Sequence, residues 1–295
     1  MKSVYFTWGG AICASLCLFV ISCQKNDHPA TQSQQGSTQT LLMNATNDVV
    51  QSAALESSNV DDIMGSGDSS TCPAITFDTS TKVFPHVKTI DYGSGCLGKD
   101  SIMRTGEKIV TIYAKRDSAA PGTLISIATF QGFTINGMAD TGTIKTYVDS
   151  SSTMGMRIYK IVSDETLIAL NGDSKTFTGT HWWKQMQGGT TTSPDDDVYQ
   201  ITGTSMGTET LDGATQFTYT ATISNTNPVI KRVDCNHRVQ GSVDIAIHIT
   251  TGGDANFMEV LDYGTGDCDT KATLSINNGV PQVITLPLYF WPLSL

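Results

Sequence analysis

A glycine-rich stretch at residues 93–99 has the spacing of a phosphate-binding loop, in which glycine amides cradle phosphates and a lysine, here Lys99, reaches the terminal ones. Asp100 stands where a hydroxyl should hold magnesium, and no helical pattern follows. Such a loop binds phosphate only where it opens a helix. We therefore interpret this stretch as a structural turn and predict no cofactor.

A second stretch, residues 203–207, fits the nucleophile-elbow pattern with Ser205 as the nucleophile. That pattern works where a strand turns sharply into a helix, whereas residues 208–213 lead into another strand. Ser205 is therefore expected to belong to a hairpin. The histidines lie in separate segments and form no constellation: His86, His181, His237 and His248. With no general base to name, the sequence predicts a protein that is not an enzyme.

Acidic residues suggest two further chemistries. Asp91 and Asp262 could form the carboxylate pair of a glycosidase, but they hold equivalent places in a repeat. Each is expected instead to accept amide hydrogen bonds from its own glycine turn. Asp195, Asp196 and Asp197 could offer oxygens to calcium, which prefers carboxylates on a tight loop. For these three, however, we expect a solvated loop or the guard of a strand edge, with calcium binding as the alternative.

The chain contains one motif twice, at residues 89–96 and 260–268. Each copy has an apolar residue, then Asp-Tyr-Gly-Ser/Thr-Gly, then a cysteine. The second copy has no counterpart of Lys99, the residue that phosphate chemistry would require. The repeat therefore predicts two related structural corners.

Four cysteines follow the N-terminal leader and Cys23, and an even number in an exported protein suggests disulfides, for which three connectivities are possible. Because Cys96 and Cys268 are equivalent in the repeat, we predict that each pairs with its own upstream partner, Cys72 and Cys235 respectively. Four buried thiols are the alternative. No two of them lie at the spacing of metal ligands, so we predict no metal here.

Trp182 and Trp183 are neighbours on a predicted strand, so their side chains should lie on opposite faces. One should be in the core and the other nearer solvent. An exposed tryptophan could stack on a sugar ring, and both residues are therefore candidates for ligand binding; partial cover by neighbouring side chains is the alternative.

The elements that position these residues follow an export signal. After Lys2, residues 11–21 form an apolar run typical of a secretory signal, and residues 20–23, Val-Ile-Ser-Cys, resemble the lipobox of bacterial lipoproteins. The resemblance implies a signal peptide at residues 1–22 and acylation of Cys23 by diacylglyceryl and chains such as palmitate. Two or more chains would anchor the protein stably to a membrane. The alternative is that Cys23 is an ordinary residue of the leader.

Residues 23–70 predict a polar tether, because residues 24–40 contain almost nothing apolar that could offset the entropy of ordering. Within 41–64, apolar residues recur at helical spacing, which predicts a short N-terminal helical segment. No later apolar run approaches the roughly 20 residues of a spanning helix. We expect the protein to sit on its membrane and not to span it.

Residues 71–295 predict a single all-β domain. Residues 216–223, 242–249 and 271–276 alternate apolar and polar side chains, which is typical of half-buried antiparallel strands. Asn-Gly and Asp-Gly turns separate such runs. The pattern predicts a long antiparallel meander that forms a curved sheet, an open barrel or a sandwich, since so many strands cannot stay flat.

The formal net charge is −10, and removal of the leader, which carries only Lys2, makes it −11. Nucleic-acid binding needs clustered Lys and Arg, which the chain lacks, so we predict no nucleic-acid partner.

Several motifs together resemble a group of uncharacterised lipoproteins of the Bacteroidota: the lipobox, the polar tether, the repeated Asp-Tyr-Gly corner, residues 196–203 and residues 231–235. The resemblance covers about residues 72–286. Residues 25–27 loosely resemble the surface-export signals of such proteins. The resemblance implies an outer-membrane lipoprotein on the periplasmic or cell-surface face, with no activity or catalytic residues to transfer.

Three functions stay open. The first is a non-enzymatic envelope lipoprotein, structural or ligand-binding, with a protein or glycan partner on the outer face of its sheet. The second is a carrier of hydrophobic or lipid cargo in the cavity of a curved sheet. The third is an envelope hydrolase. A cavity lined by apolar side chains would favour the carrier, and acids or histidines clustered in a cleft would favour the hydrolase.

Overall fold

A computed structural model describes residues 72–78, 83–97, 103–153, 155–189, 196–235, 237–250 and 255–286. The predicted signal peptide, the predicted lipidation site Cys23 and the predicted helix within 41–64 lie outside these ranges. The described part of the chain is all-β and contains no α-helix. Within it, no helix is long and apolar enough to cross a membrane.

Fifteen strands are described. In chain order they are β1 Ala74–Phe77, β2 His86–Asp91, β3 Cys96–Leu97, β4 Met103–Ile112, β5 Leu124–Ile135, β6 Met138–Val148, β7 Ile158–Ile168, β8 Ser174–Gln187, β9 Val198–Leu211, β10 Ala214–Ile223, β11 Val229–Arg232, β12 Arg238–Ile249, β13 Ala255–Thr265, β14 Lys271–Ile276 and β15 Gln282–Thr285.

All fifteen belong to one antiparallel sheet, ordered β1-β2-β4-β5-β6-β7-β8-β9-β10-β12-β13-β14-β15. The short β3 pairs with β4, and β11 pairs with both β9 and β12. Most neighbours in space are therefore neighbours in sequence. This confirms the predicted all-β antiparallel meander.

The two-residue period of the strands separates an inner face from an outer face, defined here as the buried and the solvent-facing sides of the sheet. On β10, Phe217 and Tyr219 are buried, whereas Thr220 and Thr222 are exposed. The inner side chains of successive strands pack into one apolar cluster. Apolar and polar residues thus alternate in the sequence because successive side chains of a strand point to opposite faces of the sheet.

Predicted turns join the strands where expected. Asn136 and Asp212 have φ of 49° and 50°, and each is followed by a glycine that also has positive φ. Both are two-residue hairpin loops that need left-handed backbone, which Asn, Asp and Gly tolerate best. Strand pairing extends beyond the apolar runs. For example, β8 stays paired with β9 as far as Gln187, which lies opposite Val198.

The repeated motif forms two corners of the same design. The Gly93 amide donates to Asp91 Oδ1 at 2.7 Å, and the Gly264 amide donates to Asp262 Oδ1 at 2.8 Å. Both glycines have positive φ. These bonds confirm that each aspartate accepts an amide hydrogen bond from its own glycine turn. Lys99 lies outside the described residues.

The structure pairs Cys72 with Cys96 and Cys235 with Cys268, as predicted from the repeat. The Cα atoms are 5.7 Å apart in both pairs. The first disulfide joins the start of β1 to β3, and the second joins the approach to β12 to the end of β13. Each corner is therefore fixed to a neighbouring strand.

Candidate functional site

The two neighbouring tryptophans of β8 lie on opposite faces of the sheet, as their spacing predicted. Trp183 is 1% exposed and packs on Tyr199, with ring centroids 5.6 Å apart. Trp182 is 36% exposed on the outer face. It is therefore Trp182 that is available to a ligand.

Trp182 lines a groove of about 790 Å³ on the outer face. Its floor comes from β8, β9 and β10, through side chains such as Lys184, Gln200 and Thr222. One wall is the loop after β6, with Asp149 and Ser151, while Ser224 and Asn225 form the other. Small-molecule sites have volumes on the order of 300–1,000 Å³, so the groove is large enough to hold a ligand.

The wall at Ser224 arises because the chain that pairs with β9 leaves the sheet between β10 and β11. β10 pairs with β9 as far as Ile223 opposite Gly203, and β11 resumes that pairing at Val229 opposite Ile201. The five residues between them, 224–228, leave the sheet as an excursion loop. Thr202 lies between the two paired segments, and its side chain lines the groove.

Hydrogen bonds hold the excursion loop in place. The Asn227 amide donates to Ser224 Oγ at 3.1 Å, and the Asn227 side chain donates to Ser242 Oγ at 2.8 Å. Gly241 allows the loop to approach β12, since a Cβ there would lie 2.0 Å from the Pro228 carbonyl oxygen. The wall is therefore fixed before any ligand arrives.

The indole of Trp182 is also oriented in advance. Its Nε1 donates to Asp149 Oδ2 at 3.0 Å, and Asp149 Oδ1 accepts from the Ser151 amide at 2.9 Å. Burial raises the pKa of Asp149, but hydrogen bonds from Ser151 and Trp182 outweigh it and bring that pKa below its ordinary value. The carboxylate is thus ionised at neutral pH and aligns the ring.

A second candidate site is a group of ionisable side chains on the inner face. Burial raises the pKa of Asp140 to about 7, against the attraction of Lys108. Burial and the neighbouring Asp140 raise the pKa of Glu165 well above its ordinary value. Perturbed carboxyls often mark active sites. Here, however, Asp140 and Glu165 are 2% and 5% exposed and lie within the buried inner face.

The structure places the acidic triplet differently from the solvated loop that was expected. Asp197 is buried, and its two carboxylate oxygens accept hydrogen bonds from Gln185 Nε2 at 2.9 Å and Tyr199 Oη at 2.6 Å. Asp196 is exposed, and Asp195 lies outside the described ranges. Among the described residues, no group of three or more His, Cys, Asp or Glu could hold a metal ion. Calcium binding at this triplet stays an untested prediction.

The other residues that could do chemistry are dispersed. Ser205 is buried on the inner face in the middle of β9, the first strand of the β9–β10 hairpin. His181 is also buried on that face, and burial lowers its pKa to about 3, so its ring is neutral. His248 lies on the outer face, where its Nδ1 is 3.0 Å from Asn256 Oδ1. Ser205 and His181 are the exception: both lie beside Gly179 on the inner face, where a Cβ added at Gly179 would be 3.0 Å from Ser205 Cβ and 3.3 Å from His181 Cε1.

Sequence reasoning identified Trp182 but missed its partners. Asp149 is separated from it by a whole hairpin, and no local pattern links the two. One available signal was the polar run Ser-Asn-Thr-Asn-Pro at residues 224–228, which resembles an ordinary turn. Only the pairing of both β10 and β11 with β9 shows that residues 224–228 form an excursion loop beside the tryptophan.

Comparison with family models, with curated proteins and with solved structures gave no match to this chain. The resemblance to Bacteroidota lipoproteins therefore stays a prediction, and the groove has to be interpreted from its own geometry.

Proposed function

We propose that this protein is a non-enzymatic binding protein of the cell envelope, anchored by lipid at Cys23, that holds its ligand in the groove beside Trp182. The observation that carries the proposal is an exposed, oriented tryptophan in a groove with fixed walls. Small-molecule sites are usually largely formed before the ligand binds, with their side chains already held in place.

The chemistry of the lining supports binding and not turnover. Asp149 is its one carboxylate, and both oxygens of that carboxylate already accept hydrogen bonds. Hydrolysis of a glycoside commonly uses a pair of carboxylates, which this lining does not supply. The groove therefore resembles a recognition surface more than an active site.

The packing of the inner face argues against the carrier of hydrophobic cargo. Inner side chains such as Ile144, Tyr159 and Ile245 are fully buried against one another. The same face holds the Lys175–Glu209 ion pair, with an Nζ–Oε1 distance of 3.2 Å. A lipid tail in that interior would have to displace packed side chains and lie beside buried charges. We propose that the sheet curves around this interior and leaves its outer face to the ligand.

The anchor and its location rest on the leader and the lipobox. We propose that acyl chains on Cys23 hold the protein on the outer membrane and that the polar residues 24–40 separate the sheet from the bilayer. Cells fed an alkyne fatty acid should label the wild-type protein and not Cys23→Ser. Protease treatment of intact cells then distinguishes the surface face, where the chain is cut, from the periplasmic face.

The binding proposal is tested with the full chain and three sets of probes: neutral oligosaccharides, extended peptides and fatty acids. Calorimetry should show saturable binding to one set, and Trp182→Ala should weaken that binding by about tenfold or more, because a buried aromatic contact contributes about 1–3 kcal/mol. Mass spectrometry should recover the bound probe unchanged.

Met258→Ala is the matched control, because Met258 is an exposed apolar side chain on the outer face of β13, outside the groove. It should bind like the wild type. Absence of binding to every probe set, or binding that survives Trp182→Ala, would contradict the assignment of the groove. Recovery of cleaved probe would show an enzyme.

A further inference from the structure

We infer that the ligand of the Trp182 groove is a neutral oligosaccharide that lies across strands β7 to β10. This inference rests on the proposed function and names its ligand class. It follows from three properties of the groove: one aromatic platform, a lining of mostly uncharged polar groups, and a central floor strand, β8, that is paired on both sides.

The aromatic platform suits a sugar ring. A pyranose has one face of C–H groups and a rim of hydroxyls, so it can cover an aromatic face and still present polar groups sideways. Trp182 offers such a face, and its polar Nε1 is already satisfied by Asp149 at 3.0 Å. A ligand therefore need not supply a partner for the indole and can make its contact through C–H groups alone.

Uncharged donors and acceptors surround the platform. The side chains of Gln200, Thr202, Thr204, Thr222 and Asn225 line the groove with hydroxyls and amides, which both donate and accept hydrogen bonds. Hydroxyls of a sugar need partners of this dual kind. The only charged members of the lining are Asp149 and Lys184, whose charges cancel. A phosphate or a strongly acidic ligand would find no excess of positive charge here.

The paired floor excludes the commonest mode of peptide recognition. An extended peptide binds by adding a strand to an open sheet edge, where backbone groups are free. Strand β8 is paired on both sides throughout the floor, with β7 through Trp182–Lys160 and with β9 through Trp182–Thr202. Strand β8 therefore offers no open edge to a peptide. A fatty acid is disfavoured for another reason, because hydroxyls and amides flank the tryptophan.

The dimensions favour several sugar units over one. The groove runs from Ile158 on β7 to Thr222 on β10, which is three strand spacings. Neighbouring strands lie about 4.8 Å apart, so the groove is about 14 Å long. A single ring would cover Trp182 and leave the hydroxyls of Thr222 and the amide of Asn225 without contact. We therefore expect binding to strengthen with chain length up to about three units.

The test titrates the full chain with neutral gluco-, manno- and galacto-oligosaccharides of increasing length, beside an extended peptide and a fatty acid. At least one neutral series should bind saturably and more tightly as a trisaccharide than as its monosaccharide. Trp182→Ala should weaken that binding by tenfold or more, Trp182→Phe should weaken it less, and Met258→Ala should leave it unchanged. Asn225→Ala should weaken the trisaccharide and leave the monosaccharide unaffected, because Asn225 lies beyond the first ring.

The possible failures are distinct. Saturable, Trp182-dependent binding of the peptide or the fatty acid, with none of a saccharide, would overturn this inference and leave the binding function standing. Failure of every probe would overturn both. Equal affinity for monosaccharide and trisaccharide would overturn the extended mode. Circular dichroism of each variant checks that a loss of binding is not a loss of fold.

Discussion

The inner and the outer face of the sheet use the same residue types for different purposes, and β8 shows this within two positions. Trp183 faces inward, is 1% exposed and packs on Tyr199. Trp182 faces outward, is 36% exposed and is held at its edge by Asp149. One tryptophan contributes burial to the fold, and the other offers an aromatic surface to a ligand.

Carboxylates show the same division. Asp140 lies on the inner face, where burial raises its pKa to about 7. On the outer side of the sheet, hydrogen bonds from Ser151 and Trp182 overcome the effect of burial and lower the pKa of Asp149. The comparison teaches that the face of the sheet sets the environment of a side chain, because successive side chains along a strand point in opposite directions. It follows that substitutions at adjacent positions, one on each face, should differ in how strongly they lower the stability of the fold.

The largest expected effect is that of Trp183→Ala. Removal of this buried ring leaves a cavity beside Tyr199 and should lower the free energy of unfolding by about 3–5 kcal/mol. Trp182→Ala should lower it by about 1 kcal/mol or less, as for most exposed side chains. Urea denaturation of the two variants measures the difference. Equal losses would show that the two faces are not distinct.

A somewhat smaller effect is expected from an inner ion pair. Lys175 Nζ lies 3.2 Å from Glu209 Oε1, and both side chains are nearly inaccessible. Lys175→Met would leave the carboxylate buried without its cation and should destabilise the fold by about 3 kcal/mol. The double variant Lys175→Met/Glu209→Leu should regain most of that loss, since an apolar pair needs no compensation.

The control for the ion pair is the solvent-exposed pair of Arg232 and Asp234, in which Nη2 of the arginine lies 2.5 Å from Oδ2 of the aspartate. Because water screens such a pair, Arg232→Met should leave the denaturation midpoint unchanged. A midpoint shift as large as that of Lys175→Met would contradict the distinction between the buried and the exposed pair.

The effect that is smallest over any single pH unit is a dependence of stability on pH. Since folding raises the pKa of Asp140 to about 7, the native state keeps a proton that the unfolded chain releases above about pH 4. The contribution of Asp140 is therefore full below about pH 4 and is lost as the pH rises to about 7, at about 1.4 kcal/mol per unit. Asp140→Asn should reduce this slope in urea denaturation profiles recorded across that window, while the neighbouring Glu165, whose pKa burial also raises, keeps a contribution of the same sign.

Asp149→Asn serves as the comparison from the outer side of the sheet. Because folding lowers the pKa of Asp149, its contribution is present above about pH 4 and is lost as the pH falls below that value. Neutral His181, whose pKa burial lowers to about 3, adds a slope of the opposite sign to that of Asp140. Its slope is common to wild type and variant and cancels in their difference. Identical profiles for wild type and Asp140→Asn would contradict the raised pKa.

Much of the fold followed from local patterns. Alternation in residues 216–223 assigned Phe217 and Tyr219 to the core, and Asp-Gly at 212–213 placed the hairpin between β9 and β10. The repeat predicted both disulfides and the role of Asp91 and Asp262. These features depend on residues close in sequence or on the comparison of two copies, so the chain alone contains them.

The expected solvated loop at the acidic triplet was wrong for Asp197. Its carboxylate is buried because Gln185 and Tyr199, which belong to two paired strands, donate to both oxygens. A run of three aspartates after a proline predicts solvent exposure on composition alone, since composition does not reveal which partners the sheet supplies.

The sequence by itself determined the antiparallel meander, the two corners and the opposite faces of Trp182 and Trp183, because a period of two and the chemistry of turns act over a few residues. Only the tertiary structure decided which tryptophan faces solvent and what surrounds it. The register of β7 with β8 brings Asp149 within hydrogen-bond distance of Trp182. The wall at residues 224–228 exists because β10 and β11 both pair with β9 and the residues between them leave the sheet. Both depend on long-range pairing, which no local pattern specifies.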